Sequence, residues 1–342
     1  MKRLLPLIAA ASLLASCGEK KPELHLYTWD DYLNPDLITK FEEEYNCRLV
    51  VDIFDSNEAM LAKLKAGATG YDVLVPTSYM VKVLAREGMI VELDKSKLPN
   101  LQHVDPDYLT SLAFDKEMKW SVPYMLAPTG IAYVSDRVEN IEPTWRVFER
   151  ADLKGRMTLL NDSRETLGAA LKTLGFSINT LDPAQIGQAK DLVISWKKNL
   201  AKFESDQYDS GLASAEFFVS QAYAGDAFQA QEDNEKIEFI LPAEGTSVAC
   251  DDLVISKNAP NPELAYAFIN FLTEPANAAA NMEYIYYLAP NKSAYELVSQ
   301  EFREIDSLFL DAETMKKCEV IDDLGENNKL YHDAWDLVRA AQ

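Results

Sequence analysis

Between residues 24 and 88 the chain alternates strand and helix three times over, and that alternation leaves few architectures open. Residues 24–29 are apolar enough for a buried strand. Asn34-Pro35 then supplies a helix cap followed by proline at the first helical position. The helix expected over 36–45 carries Leu37, Ile38, Phe41 and Tyr45 at helical spacing. Residues 48–54 alternate and are rich in Val and Ile, which reads as a second strand. Ser56 caps a second helix with Met60, Leu61 and Leu64 on one face. Residues 71–76 form a short apolar third strand, and a third helix over 78–87 stops at Gly88. Such a succession implies a mostly parallel sheet covered on both faces. In open sheets of this kind ligands bind beyond the C-terminal ends of the strands. The loops at Trp29–Tyr32 and Thr77–Tyr79 both fall on that rim.

The middle of the chain repeats the theme. A strand over 155–160 runs into Asn161-Asp162-Ser163-Arg164-Glu165, and the helix over 165–174 ends at Gly175. Asp182 caps a longer helix with Pro183 at its first position, expected to reach about residue 200. Residues 216–221, 237–241 and 248–256 read as strands, the last with Asp251-Asp252 inside it. Pro262 opens a helix over 263–272, and residues 305–342 look helical. No internal repeat is visible. Two α/β units with acid-and-aromatic loops suggest two facing lobes, with residues 122–134 and 248–256 as strands crossing between them. The expected division is 24–128 with 252–295 for lobe 1, and 129–251 with 296–342 for lobe 2.

The first residues read as an export signal. Lys2-Arg3 precedes a run from Leu4 to Ala15 that is almost all apolar and, at 12 residues, too short to span a bilayer. Leu14-Ala15-Ser16-Cys17 resembles a bacterial lipobox, in which the cysteine is lipidated and becomes the mature N-terminus. Residues 1–16 are then the signal and 17–23 a tether, giving a periplasmic or cell-surface protein held to the membrane only through its lipid. Removing the signal leaves 31 basic against 55 acidic residues, a balance of −24. That excludes nucleic acid, which requires a basic surface, and is compatible with a cationic ligand.

Chemistry is conspicuous by its gaps. His25, His103 and His332 have no partner at metal-ligand spacing, and no cysteine pair is spaced for zinc. The serine-hydrolase elbow and both glycine-rich phosphate loops are missing. Asp251 and Asp252 are adjacent on a strand and so point to opposite faces, which prevents them from working as an acid–base pair. No catalytic residue, metal or cofactor is expected, and a surface hydrolase is the disfavoured alternative.

What remains is cation recognition. The run Tyr27-Thr28-Trp29-Asp30-Asp31-Tyr32 sets acids beside aromatic faces, as an organic cation requires. Asp251 lies in an apolar strand, where a carboxylate is costly unless paired. Asp162 is also placed to cap the helix after it, and Glu165 to favour its N-terminus. Asp252 is expected to be solvated or to lie between the lobes.

These segments, together with Ser56-Asn57-Glu58-Ala59-Met60, Tyr71-Asp72-Val73-Leu74-Val75-Pro76-Thr77-Ser78-Tyr79, Glu87-Gly88-Met89-Ile90, Tyr223-Ala224-Gly225-Asp226 and Ala289-Pro290-Asn291-Lys292, occur in an order that resembles the periplasmic polyamine-binding proteins of bacterial ABC importers. The resemblance covers essentially everything after Leu24. It implies a two-lobed periplasmic-binding-protein fold (type II) that closes on a linear polyamine, with aromatics about the methylene chain and carboxylates on the ammonium groups. Its partners would be a polyamine and the permease of an importer, with the protein itself a monomer. Carried over position by position, the resemblance assigns ligand contact to Trp29, Asp30, Asp31, Tyr32, Thr77, Tyr79, Asp162, Glu165, Tyr223, Asp226, Asp251 and Tyr287. Asp30 departs from the small hydroxyl residue usual there, Tyr223 from tryptophan, and Ala249 from an aromatic. The Tyr-Ala-Gly-Asp run at 223–226 is similar to that of putrescine-preferring members, which implies a diamine, with spermidine next; the smaller Ala249 also leaves room for a longer amine. A disulfide between Cys250 and Cys318, another cationic solute and a sensor role are the alternatives left open.

Overall fold

The computed structural model describes residues 21–54, 56–111, 115–310 and 312–341. The signal segment and Cys17 lie outside the described residues. Strands β1 (Glu23–Thr28), β2 (Arg48–Ile53) and β3 (Val73–Leu74) are separated by helices α1 (Pro35–Glu44) and α2 (Asn57–Lys65), and α3 (Ser78–Arg86) follows. The caps are those expected: the Asn34 side chain accepts from the Asp36 amide, and the Ser56 side chain accepts from the Ala59 amide. β1 pairs in parallel with both β2 and β3, so Leu24 and Leu26 are buried at the centre of three strands.

After α4 (Pro106–Ser111), β4 (Val122–Val134) is buried along its entire length. A second βα series follows: β5 (Met157–Leu159), α5 (Ser163–Thr173), α6 (Pro183–Lys197), β6 (Leu200–Phe203), α7 (Tyr208–Ala213), β7 (Val219–Tyr223), α8 (Ala224–Asp233) and β8 (Ile237–Ile240). β9 (Val248–Ile255) then returns to the first series. The helices α9 (Pro262–Leu272), α10 (Pro275–Ile285), α11 (Gln300–Arg303), α12 (Ala312–Met315) and α13 (Asn328–Ala340) complete the chain.

The sheet runs β2-β1-β3-β9-β4-β7-β5-β6, with β8 also on β4. β4 is the shared member. Residues from Val122 to Pro128 pair antiparallel with β9, while those from Thr129 to Val134 pair with β7 and β8. Pairing is parallel inside each βα series and antiparallel where the crossing strands join them. The result is the two-lobed α/β fold expected, with one hydrophobic core around Phe41, Val73 and Phe268 and another around Trp145, Phe148 and Trp196.

Some local expectations fail. The helix after Asp182 ends at Lys197, because residues 200–203 form β6 beside β5. Residues 275–285 and 224–233 are helices that the sequence pattern did not single out. In the C-terminal stretch only α13 is a long helix among the described residues, while α12 has four residues. Val298, Phe302, Leu308 and Cys318 pack in the same hydrophobic cluster as Phe41 and Phe268, which also takes in Ala224 and Phe228 of α8. Cys250 and Cys318 are both buried and free, so they form no disulfide.

Candidate functional site

Asp251 is the centre of the first-lobe wall. β9 carries it past the loop before α3, and Thr77 bridges its backbone. Its carboxylate accepts hydrogen bonds from Tyr32 Oη at 2.6 Å and Thr77 Oγ1 at 2.7 Å. Asn57 in turn fixes Thr77, donating to Oγ1 at 3.0 Å and accepting from the backbone amide at 3.1 Å. Tyr124 Oη donates to the Tyr32 carbonyl, and the Tyr32 ring meets Tyr124 and Tyr287 edge-on at 5.8 and 5.4 Å. Burial pushes the Asp251 carboxyl up to about 6 despite the two hydroxyl donors.

Trp29 stands beside this wall, half-buried, its ring edge-on to Phe54 at 4.5 Å. Its indole nitrogen is buried without a hydrogen-bond partner among the described residues. Tyr79 Oη donates to Glu58 at 3.1 Å, and burial followed by the charges of Glu58 and Asp162 holds its hydroxyl well above the usual range. Asp30 and Asp31 are both exposed; the Asp31 amide donates to Asp30, and Asp31 has φ 46°.

The second-lobe wall gathers three further acids. Asp162 is exposed, and its Oδ1 accepts from the Arg164 and Glu165 amides, which makes it the N-cap of α5. Glu165 on the first turn is buried, and Ser247 donates to its carboxylate. Burial, reinforced by the charge of Asp162, pushes Glu165 up to about 7. Asp226, on the first turn of α8, accepts from Tyr208 and from Tyr287, the latter at 2.8 Å. Burial raises its carboxyl, and these two hydroxyls oppose the rise. Gly225 makes the Tyr287 contact possible, since a Cβ there would lie 2.1 Å from the Tyr287 ring.

Tyr223 is half-buried and lies within reach of acids from both walls. Its hydroxyl is raised first by burial and then by Glu165, Asp162, Asp226 and Asp251. Ala249 is also half-buried, opposite Ala127 on β4. None of the four acids, Asp162, Glu165, Asp226 and Asp251, forms an ion pair with a lysine, arginine or histidine among the described residues. Glu165, Asp226 and Asp251 are instead held by hydroxyl donors. The expectation for Asp252 fails. It is neither solvated nor free, but lies buried behind Asp251, accepting from Ser78 and from Ser121 at 3.1 Å. Burial pushes it up to about 7.

Tyr208, Tyr124, Asn57 and Ser247 are parts of the site that sequence reasoning missed. Ser247 is 82 positions from Glu165 and Tyr208 is 18 from Asp226, with no local pattern to connect either pair.

Two lobes with buried acids, hydroxyls and aromatics between them are the arrangement of a solute-binding protein. The sequence agrees. Residues 36–305 match the bacterial extracellular solute-binding protein family, and the chain belongs to that family. It is 37% identical over 342 residues to the putrescine/cadaverine-binding protein of Pseudomonas aeruginosa, an alignment covering 96% of each chain. It is 34% identical over 335 residues to the spermidine/putrescine-binding periplasmic protein of Escherichia coli, covering 97% of this chain and 96% of the other. The crystal structure of a spermidine/putrescine ABC transporter substrate-binding protein from Streptococcus pneumoniae superposes with a TM-score of 0.86 at 33% identity, covering 94% of this chain and 99% of that one. A lipoprotein of Treponema pallidum superposes with a TM-score of 0.84 at 35% identity, covering 92% and 99%. The resemblance drawn from the motifs is thus borne out along nearly the whole chain. Its relatives are binding proteins rather than enzymes. No helix among the described residues is long and apolar enough to cross a membrane.

Proposed function

We propose that this protein captures a polyamine, preferentially the diamine putrescine, and delivers it to an ABC importer. The observation that carries the reading is a set of acids gathered around Tyr223 and Tyr287, none in an ion pair with a lysine, arginine or histidine among the described residues: Asp251 from the first lobe, and Glu165 and Asp226 from the second. An ammonium group entering a closed cleft loses its water, and a carboxylate held in place by hydroxyl donors replaces that hydration. The Trp29 and Tyr223 rings supply faces for the methylene chain and for cation–π contact, each worth about 0.5–2 kcal/mol. A micromolar ligand requires about −8 kcal/mol, which two good ion pairs and two ring contacts can reach.

In this reading the lobes close by bending in β4 and β9, and the permease reads the closed form. The first lobe then comprises 24–128 with 248–318, and the second 129–247 with 319–342. The protein works as a monomer, anchored through a lipid on Cys17; the kinship with a spirochaete lipoprotein supports the anchor.

Calorimetry on residues 18–342 with putrescine, cadaverine, spermidine and spermine tests the proposal. Micromolar binding of putrescine or cadaverine, with weaker binding of spermine, is the expected result. Absence of heat with all four amines contradicts it.

A further inference from the structure

The third helix carries a second set of contacts to the other lobe, outside the acid-and-tyrosine cluster. Tyr79, Lys82 and Arg86 are spaced i, i+3 and i+7 on α3, and so form one stripe. Tyr79 sits within the field of Asp162 in the second lobe. One turn on, Lys82 Nζ lies 3.6 Å from Asp322, and Arg86 Nη1 lies 3.6 Å from Asp323. Two consecutive acids therefore meet two basic side chains one helical turn apart. The Asp323 carboxylate is only 7% exposed, while the Arg86 side chain that meets it stays largely in solvent.

The acids belong firmly to the second lobe. Arg164 Nη1 donates to the Asp322 carbonyl at 2.9 Å, and Asn179 accepts from the Asp322 amide at 3.0 Å. Asn179 Nδ2 also donates to the Val320 carbonyl at 2.8 Å. The Asp323 carboxylate accepts from the Gly325 amide and from Asn328, the latter on α13. This loop is thus a rigid part of the second lobe. It is strapped to Arg164, a neighbour of Asp162 and Glu165, while α3 begins at the Asp251 partner Thr77.

We propose that Lys82–Asp322 and Arg86–Asp323 form an ionic latch across the mouth of the cleft, which stabilises the closed form without touching the ligand. The latch rests on the two-lobe closure described above. Because it acts on closure alone, it multiplies the affinity for every ligand by the same factor and leaves the ranking of amines unchanged. Exposed and partly shielded pairs of this kind are modest and screened by salt, so breaking both should weaken binding by about two- to thirtyfold at low salt.

The test uses K82E, D322K, K82E/R86E and the swapped pair K82E/D322K in residues 18–342, with putrescine, cadaverine and spermidine. For K82E/R86E the expected result is faster dissociation, a uniform loss of affinity across the amines, and a smaller salt dependence than in the unaltered protein. K82E/D322K should recover part of the affinity lost by either single change. An unchanged dissociation rate in K82E/R86E, or a loss that differs from one amine to the next, overturns the latch. Small-angle scattering without ligand reads the same element independently of polyamine recognition. At low salt K82E/R86E should be more extended than the unaltered protein, and equal radii of gyration overturn the proposal. If no amine binds even the unaltered protein, the polyamine reading fails and the scattering comparison still decides the latch.

Discussion

The two walls of the cleft handle their acids differently. On the first-lobe wall one carboxylate, Asp251, is buried and receives hydroxyl donors on both oxygens, from Tyr32 and Thr77. The other acids of that wall, Asp30 and Asp31, are left in solvent. On the second-lobe wall Glu165 and Asp226 are both held by hydroxyls, and Asp162 adds a third negative charge close enough to raise Glu165. The first wall thus offers one pre-formed carboxylate among aromatic rings, and the second a broader field of negative charge with a single half-buried ring, Tyr223. On the proposed reading, a cation with two separated charges fits that asymmetry: one end would pair with Asp251, and the other would rest in a field that tolerates some variation in length.

Removing the hydroxyl-held acid of the first wall, Asp251, should have the largest effect. Asp251→Asn keeps one acceptor oxygen, enough for Tyr32 or Thr77 but not both, and leaves an ammonium group unpaired, so putrescine affinity should fall at least about tenfold in calorimetry. Asp226→Asn on the broader wall should cost less, because Glu165 and Asp162 remain. Equal losses at both positions would break the asymmetry.

Acid pH should act next. Asp251 and Glu165 are raised to about 6 and about 7 in the unliganded protein. An amine binds their ionised forms, so affinity should fall by about tenfold or more between pH 8 and 5.5, and protons should be released on binding near pH 6.5. Stability of the unliganded protein runs the other way. A carboxylate raised above its unfolded value costs stability above its folded pKa, so that cost is relieved as pH falls through 7 towards 4. The thermal shift produced by putrescine should therefore be larger at pH 8 than at pH 5.5. Equal shifts would mean that neither acid meets the ligand.

Much of this arrangement was legible before any coordinates. The caps at Asn34, Ser56 and Asp162 and the crossing strands β4 and β9 follow from local rules of spacing and capping, and each is found where expected. What escaped was whatever depends on distant partners. Asp252 has two serine donors, one of them 131 positions away, so its burial leaves no local trace. β6 is a half-exposed edge strand directly after a helix, and its pattern gave no reason to end that helix early. Tyr208 and Ser247 are ordinary residues in sequence and acquire meaning only from the acids they face.

Trp29→Ala removes one ring from the first wall and should weaken putrescine by about two- to thirtyfold, the range of a cation–π contact. Asp162→Ala should mainly remove the cap of α5, lowering stability by about 0.5–2 kcal/mol in chemical denaturation while shifting affinity only slightly. Asp30→Asn and Asp31→Asn should be smallest of all, within about twofold by calorimetry, because both side chains are exposed. A large loss at either position would move the diamine outward, away from Asp251.

The most direct measurement is a crystal structure of residues 18–342 with putrescine bound. The account predicts one ammonium nitrogen about 3 Å from Asp251 and the other at a similar distance from Glu165 or Asp226, with the methylene chain between the Trp29 and Tyr223 rings. A diamine bound with neither nitrogen on these acids would contradict it.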